Sequence, residues 1–208
     1  MVSEDRVILI GYSGHGLVLV DTAKENKINL IGYAEPFPVS KNPFELEYIG
    51  NEQDFNFLGW KHDFSFLLGI GDNLIREKIF NLVIKQGKNL INLVNSTASI
   101  SSTVSIGQGV FVNRNVSVNA FSQIGSNVIL NTGCIIEHNC ILSSSVHIAP
   151  GAVLAGNVIV GQRTFVGANS VIKQGLVIGN DVVIGAGSVI LKSVPDGSKV
   201  VGNPGRIL

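Results

Sequence analysis

The stretch CIIEHNCILSSSVHIAPGAVLAGNVIVG, residues 134–161, places Ile136, Leu142, Ile148, Leu154 and Val160 at every sixth position. A helix turns about 100° per residue, so six-residue spacing would scatter these side chains around its surface; six is a multiple of the strand period of two, and the repeat therefore belongs to short strands. Followed outward, the same register holds from Val94, Ile100 and Ile106 through to Ile178, Ile184 and Ile190, every position a branched aliphatic. Two residues before an aliphatic, the chain places small or β-branched side chains such as Val110, Val128, Cys134, Cys140, Ala152, Thr164 and Ser170, as a second and tighter inward position requires. Repeats of this kind predict a parallel β-helix with three short faces in a turn of about 18 residues, successive turns stacking about 4.8 Å apart.

Before this run the pattern is different. RVILIGYSGHG is a β-branched strand ending in glycines, LVLVDTAKENK suits a helix, INLIGYAE a second strand, and DFSFLLGIGDN repeats strand and turn. NLIREKIFNLVIKQG sets Ile75, Ile79, Leu82 and Val83 on one helical face behind a start that Asp72 or Asn73 can cap. The expectation is a small Rossmann-like α/β domain with a parallel sheet over residues 1–93, followed by the β-helix over 94–208.

Composition narrows the function. Lys plus Arg equals Asp plus Glu at 15 each and no basic cluster stands out, which argues against nucleic acid as a partner. Although 45% of residues are hydrophobic, no run approaches the roughly 18 apolar residues of a membrane span, and the acidic start MVSEDRVILIG lacks the basic region of a signal peptide, so a cytoplasmic protein is expected. Cys134 and Cys140 have neither disulfide nor zinc-ligand spacing and read as reduced core fillers. The 24 glycines, without collagen's period, ask for many tight corners.

Two of the four histidines, His138 and His147, fall inside the repeat but outside its core slots. One turn of 18 residues beyond His138 stands Gly156, whose missing side chain leaves space beside the imidazole and exposes an N–H. A base next to a backbone donor is what acyl transfer needs, one taking a proton and the other holding an oxyanion; two surface histidines on a tolerant scaffold would look the same in sequence.

The hexads, with IIEHN and HIAPGAVLAGNVIVG, resemble the left-handed β-helix acyltransferases. GYSGHG after the first strand, GIGDNLIREKI, the histidine pair and the C-terminal VGNPGRIL resemble more closely the bacterial nucleotide-amino-sugar N-acetyltransferases, with the sialic acid O-acetyltransferases as near relatives. That resemblance implies the left hand of the coil, a homotrimer with acetyl-CoA lying along the coil between subunits, and no metal. It implies His138 as general base toward the 4-amino group of a nucleotide-linked 4-amino-4,6-dideoxy sugar, UDP-linked by preference with dTDP or GDP as alternatives. Gly156 would hold the thioester oxygen, and Asn131 and His147 would position sugar or thioester. Ser13, Gly14 and His15 would cradle the sugar-nucleotide phosphates, with Gly71 and Asn73 bordering the pocket and Glu35 near the base. Ala168 and Ala186, a turn apart, would let the coenzyme approach the backbone, while Lys173, Lys192 and Arg206 are either phosphate contacts or solvated charge. The family member in view follows its catalytic histidine with Glu; here Asn139 stands there, leaving either an amide to orient the ring or Glu137 to supply the acid.

Two other readings stay open on sequence, O-acetylation of sialic acid or a related sugar, and a non-catalytic sugar-nucleotide-binding β-helix. His15 in the phosphate loop favours N-acetylation over the first, and the His138–Gly156 pairing argues against the second. The γ-carbonic anhydrases share the scaffold but need three zinc histidines, and only two lie in this coil.

Overall fold

The structure, a computed structural model, describes residues 6–208. It divides into two compact units, one running to Leu93 and the other covering Val94–Leu208.

In the first unit, β1 (Val7–Ile10) leads into α1 (Gly14–Glu25), followed by β2 (Leu30–Ala34), β3 (Tyr48–Gly50), the short α2 (Leu58–Lys61), β4 (Ser65–Leu68), α3 (Asn73–Lys85) and β5 (Asn89–Leu90). The five strands pair in parallel in the order β3-β2-β1-β4-β5. Every residue of β1 and β4 is buried, as expected of central strands covered on both faces. Chain order reverses between β1 and β4, so the loops after those strands diverge and leave a crevice at their carboxyl ends. Asp72 caps α3 by accepting from the Ile75 N–H at 2.9 Å. Ile79 and Val83 bury the face of α3 that the periodicity assigns, but Ile75 is 56% exposed, because the first turn of the helix borders that crevice rather than the sheet.

Three sheets form the second unit, and every register step inside the regular coil is 18 residues: Ser117 pairs Ile135 on the first face, Gln123 pairs Ile141 on the second, and Ile129 pairs His147 on the third. The faces hold six, five and eight strands. Aliphatics of the sixfold series from Val112 to Ile190 are buried, as are Val110, Val128, Cys134, Cys140, Ala152, Thr164 and Ser170 in the tighter inward positions. The series thus accounts for one continuous core. Between faces the backbone turns left-handed: every sixth residue from Gly109 to Gly187 has positive φ, and Asn115, Asn127, Asn139, Asn157 and Asn169 share that role with glycine. Short polar side chains tolerate this conformation better than bulky ones, which explains the glycine and asparagine content. At the far end the step shortens to 16 residues where Val183 pairs Lys199, and Lys199–Val201 closes against Arg206–Ile207 in antiparallel fashion.

Candidate active site

On the coil, His138 lies at the corner between the first and second faces, just after the strand Ile135–Ile136. Its Nδ1 is 2.9 Å from Oδ1 of Asn139, whose φ of 57° turns the amide back over the ring. A carbonyl oxygen accepts from Nδ1–H, and this pairing leaves the lone pair on Nε2. Asn139, not Glu137, thus orients the imidazole; the Glu137 backbone is tied into the coil, its N–H to Leu154 and its carbonyl to Ser122 Oγ. Nε2 faces Gly156 on the next turn. The Gly156 carbonyl accepts from Gly175 N–H at 3.0 Å, while its own N–H donates to no described residue. A lone pair on the exposed His138 and a free N–H on the buried Gly156, side by side at this corner, can take a proton and hold an oxyanion.

His147 sits elsewhere. It lies on the third face, which in a three-sided coil stands opposite the corner carrying His138. Its Nε2 is 3.3 Å from Asn131 Nδ2, its ring meets Phe165 edge-on at 5.0 Å, and it is only 8% exposed rather than on an open surface. Asn131 is held in turn, its Oδ1 accepting from Asn113 Nδ2 at 3.0 Å. Ala168 and Ala186 stack at the corner that follows the third face, Gly187 N–H donating to the Ala168 carbonyl at 2.8 Å. Within one chain the residues assigned to acyl transfer therefore form two groups, His138, Asn139 and Gly156 on one side and Asn131, His147, Ala168 and Ala186 on the other. Rungs around Gly167 and Gly185 are in backbone contact, where an added Cβ on Gly167 would meet Ala186 N at 2.6 Å, so this corner is small and smooth enough for an extended ligand arm. Among the described residues no group of three or more His, Cys, Asp or Glu is placed to hold a metal ion.

In the first unit a cavity of about 640 Å³ opens at the carboxyl ends of the strands, lined by Ser13, Glu35, Glu52, Gly71 and Asp72 among others. Gly11 turns the chain with φ of 91°, and Gly16 and Gly69 pack directly against its carbonyl, so α1 starts hard against the sheet. Ser13 is the N-cap residue of α1 but its hydroxyl makes no capping bond, and an added Cβ on Gly14 would meet nothing. An anion can approach this helix start closely. Glu35 accepts the Tyr12 N–H and so ties the end of β2 to the glycine loop.

Sequence reading missed Arg76. It is 1% exposed, donates from Nη1 to the carbonyls of Ile70 and Gly71 and from Nη2 to Asn73 Oδ1 at 2.9 Å, and burial pulls its pKa down to about 10. Asn73 accordingly faces Arg76 and does not line the cavity. His15 is not among the residues that line the cavity; burial, with the nearby Arg76 charge, lowers its pKa to about 4 and so holds it as a neutral imidazole at neutral pH. An Arg in the first turn of a helix beginning GDNLIRE was the available signal for a loop clamp, and it was indistinguishable from solvated charge until the fold buried it.

Residues 6–83 match the PglD N-terminal domain family, residues 139–174 the bacterial transferase hexapeptide (six repeats) family, and 157–192 the hexapeptide repeat of succinyl-transferase. Among solved structures, the acetyltransferase domain of PglB from Neisseria gonorrhoeae in complex with acetyl coenzyme A is 32% identical with a TM-score of 0.91, the match covering 98% of each chain. A His-to-Asn mutant of perosamine N-acetyltransferase from Caulobacter crescentus, in complex with CoA and GDP-perosamine, is 29% identical with a TM-score of 0.92 over 100% of this chain and 99% of that one. WeeI from Acinetobacter baumannii is 26% identical with a TM-score of 0.88, covering 97% and 99%. Coil, corner histidine and bare glycine define a hexapeptide-repeat acyltransferase. Within that class the chain belongs to the nucleotide-amino-sugar N-acetyltransferases of the left-handed β-helix superfamily.

Proposed function

We propose that the protein transfers the acetyl group of acetyl-CoA to the 4-amino group of a nucleotide-linked 4-amino-4,6-dideoxy sugar, in surface glycan assembly. The carrying observation is the pairing of His138 Nε2 with Gly156 across one turn of the coil. The amine nitrogen attacks the thioester carbon and its proton passes to Nε2, as the carbonyl oxygen gains charge against the Gly156 N–H. The C–S bond then breaks, and the proton on Nε2 returns to the departing thiolate, giving amide and free CoA with no acyl-enzyme. The first unit supplies the nucleotide site: the phosphates meet the start of α1 at Ser13 and Gly14, with Gly71 and Glu35 bordering the same cavity.

We further infer a homotrimer with sites shared between copies. His138 and His147 stand on opposite sides of one coil, so a cleft using both draws them from two chains. Ile141, Ile159 and Val177 stack in one stripe on the outside of the second face, each 38–48% exposed, an apolar surface that association would cover.

Thiol release from acetyl-CoA, measured with UDP-, dTDP- and GDP-linked 4-amino-4,6-dideoxy sugars and free sialic acid, tests the activity. Turnover with a nucleotide amino sugar that collapses in His138→Ala supports it. Turnover with sialic acid alone would make the protein an O-acetyltransferase, and silence across the panel from folded protein would reject catalysis.

A further inference from the structure

The cavity of the first unit contains a feature that phosphate or sugar recognition leaves unexplained. Glu52 lies just past the end of β3, lines the cavity, and is only 6% exposed, yet its Oε2 is buried without a hydrogen-bond partner. Buried polar atoms are nearly always satisfied, and one left open beside a cavity marks the place where a ligand donor arrives. The turn that carries it is fixed from several sides. Trp60 Nε1 donates to the Glu52 carbonyl at 3.2 Å, Asn51 Oδ1 accepts from Gln53 N–H at 2.9 Å, and Gln53 Nε2 donates to Glu52 Oε1 at 3.0 Å. The open oxygen is therefore held in place before any ligand binds.

In doubly wound sheets the nucleotide runs from the first glycine loop outward over the ends of the second and third strands, the acid after the second strand meeting the ribose. Glu35, after β2, has that place, and Glu52, after β3, comes next, where the base lies. Phe37 and Phe55, 79% and 96% exposed, stand on the same two loops as rings on which a base can stack.

Resting on the nucleotide-sugar reading above, we propose that the base is guanine and that Glu52 reads it. A carboxylate offers acceptors only. Guanine presents two adjacent donors, N1–H and N2–H, on one edge, and an acceptor oxygen meets both without opposition. Uracil and thymine present a single N3–H between two carbonyl oxygens, so a carboxylate drawn to that donor is repelled by both neighbours. Adenine and cytosine set a ring acceptor next to their amino group, with the same penalty. The uracil nucleotide that family resemblance favours is thus the poorer partner for this chain.

Titration calorimetry of the full-length protein with GDP, UDP and dTDP, each alone, tests the proposal without the sugar or coenzyme. GDP should bind at least about tenfold more tightly than either pyrimidine nucleotide, and Glu52→Gln should weaken GDP by roughly ten- to a hundredfold while leaving UDP and dTDP within about twofold. Tighter binding of UDP or dTDP by the wild type overturns the proposal whatever the variant does, as does an equal loss for all three nucleotides in Glu52→Gln, which would make the residue structural. Acetyl-CoA binding by the variant confirms that the coil is intact. If none of the three binds, the nucleotide reading of the cavity fails as well, an outcome separate from a wrong base.

Discussion

A Cβ added to Gly156 would stand 2.5 Å from Nε2 and 2.6 Å from Cε1 of His138. Contacts that short force movement, and the exposed imidazole is the group free to move. The φ of Gly156 is not in the left-handed region, so its backbone accepts alanine. Gly156→Ala should therefore leave the coil folded, with an unchanged far-ultraviolet dichroism spectrum, and lower kcat at least about a hundredfold by turning Nε2 away from the acyl site. A comparable loss of thermal stability alongside the activity would show that the glycine serves the coil instead.

Asn139 fixes the tautomer of the same ring through the 2.9 Å contact with Nδ1. Asn139→Ala should lower kcat about tenfold to a hundredfold with KM for acetyl-CoA changed little, since the group orients a base and touches no substrate. Asn139→Asp, which keeps an acceptor in place, should recover most of that loss. An unchanged kcat in Asn139→Ala, or no recovery in Asn139→Asp, would be inconsistent with an orienting role.

His15 supplies a pH dependence. Its folded pKa of about 4 lies below the ordinary 6.5 because burial and the Arg76 charge disfavour the cation. The unfolded chain takes up this proton first as pH falls, so the stability held above pH 6.5 drains between 6.5 and about 4, by up to roughly 3 kcal/mol. The single tryptophan, Trp60, belongs to the same unit and reports its unfolding. Urea midpoints followed at Trp60 should fall over this range in the wild type, and the fall should be shallower in His15→Gln. Parallel curves would place the titration elsewhere.

Cys134 and Cys140 are fully buried, and burial pushes the Cys134 thiol up to about 12 and raises that of Cys140. Neither presents a thiolate at neutral pH, so native protein should resist an aromatic disulfide reagent at pH 8, with both thiols reacting in denaturant. Fast labelling of the native state would remove them from the core.

The coil was legible because its core is linear in the sequence. Each turn draws its inward residues from fixed positions, so Val112 to Ile190 can be found by counting, and so can Gly156 as the neighbour of His138. Residues whose role depends on the other elements around them were not legible. Arg76 is a helix-surface arginine by periodicity and a buried clamp on Ile70 and Gly71 in the fold; Ile75 is apolar by pattern and exposed at the cavity. His147 is outward on its strand and yet buried, because alternation says which way a side chain points and not what lies over it.

The half-turn between His138 and His147 yields a test of shared sites. If each site pairs His138 of one copy with His147 of the next, His138→Ala and His147→Ala are each inactive alone, but a mixed trimer rebuilds a complete site wherever a chain with intact His138 precedes one with intact His147. Random assembly from equal amounts of the two variants meets that condition in about a quarter of sites, so co-expressed and co-purified protein should recover about a quarter of wild-type kcat with an unchanged KM. Sites built within one chain are damaged in every copy, whichever neighbours it has, and the mixture would then be as inactive as its components.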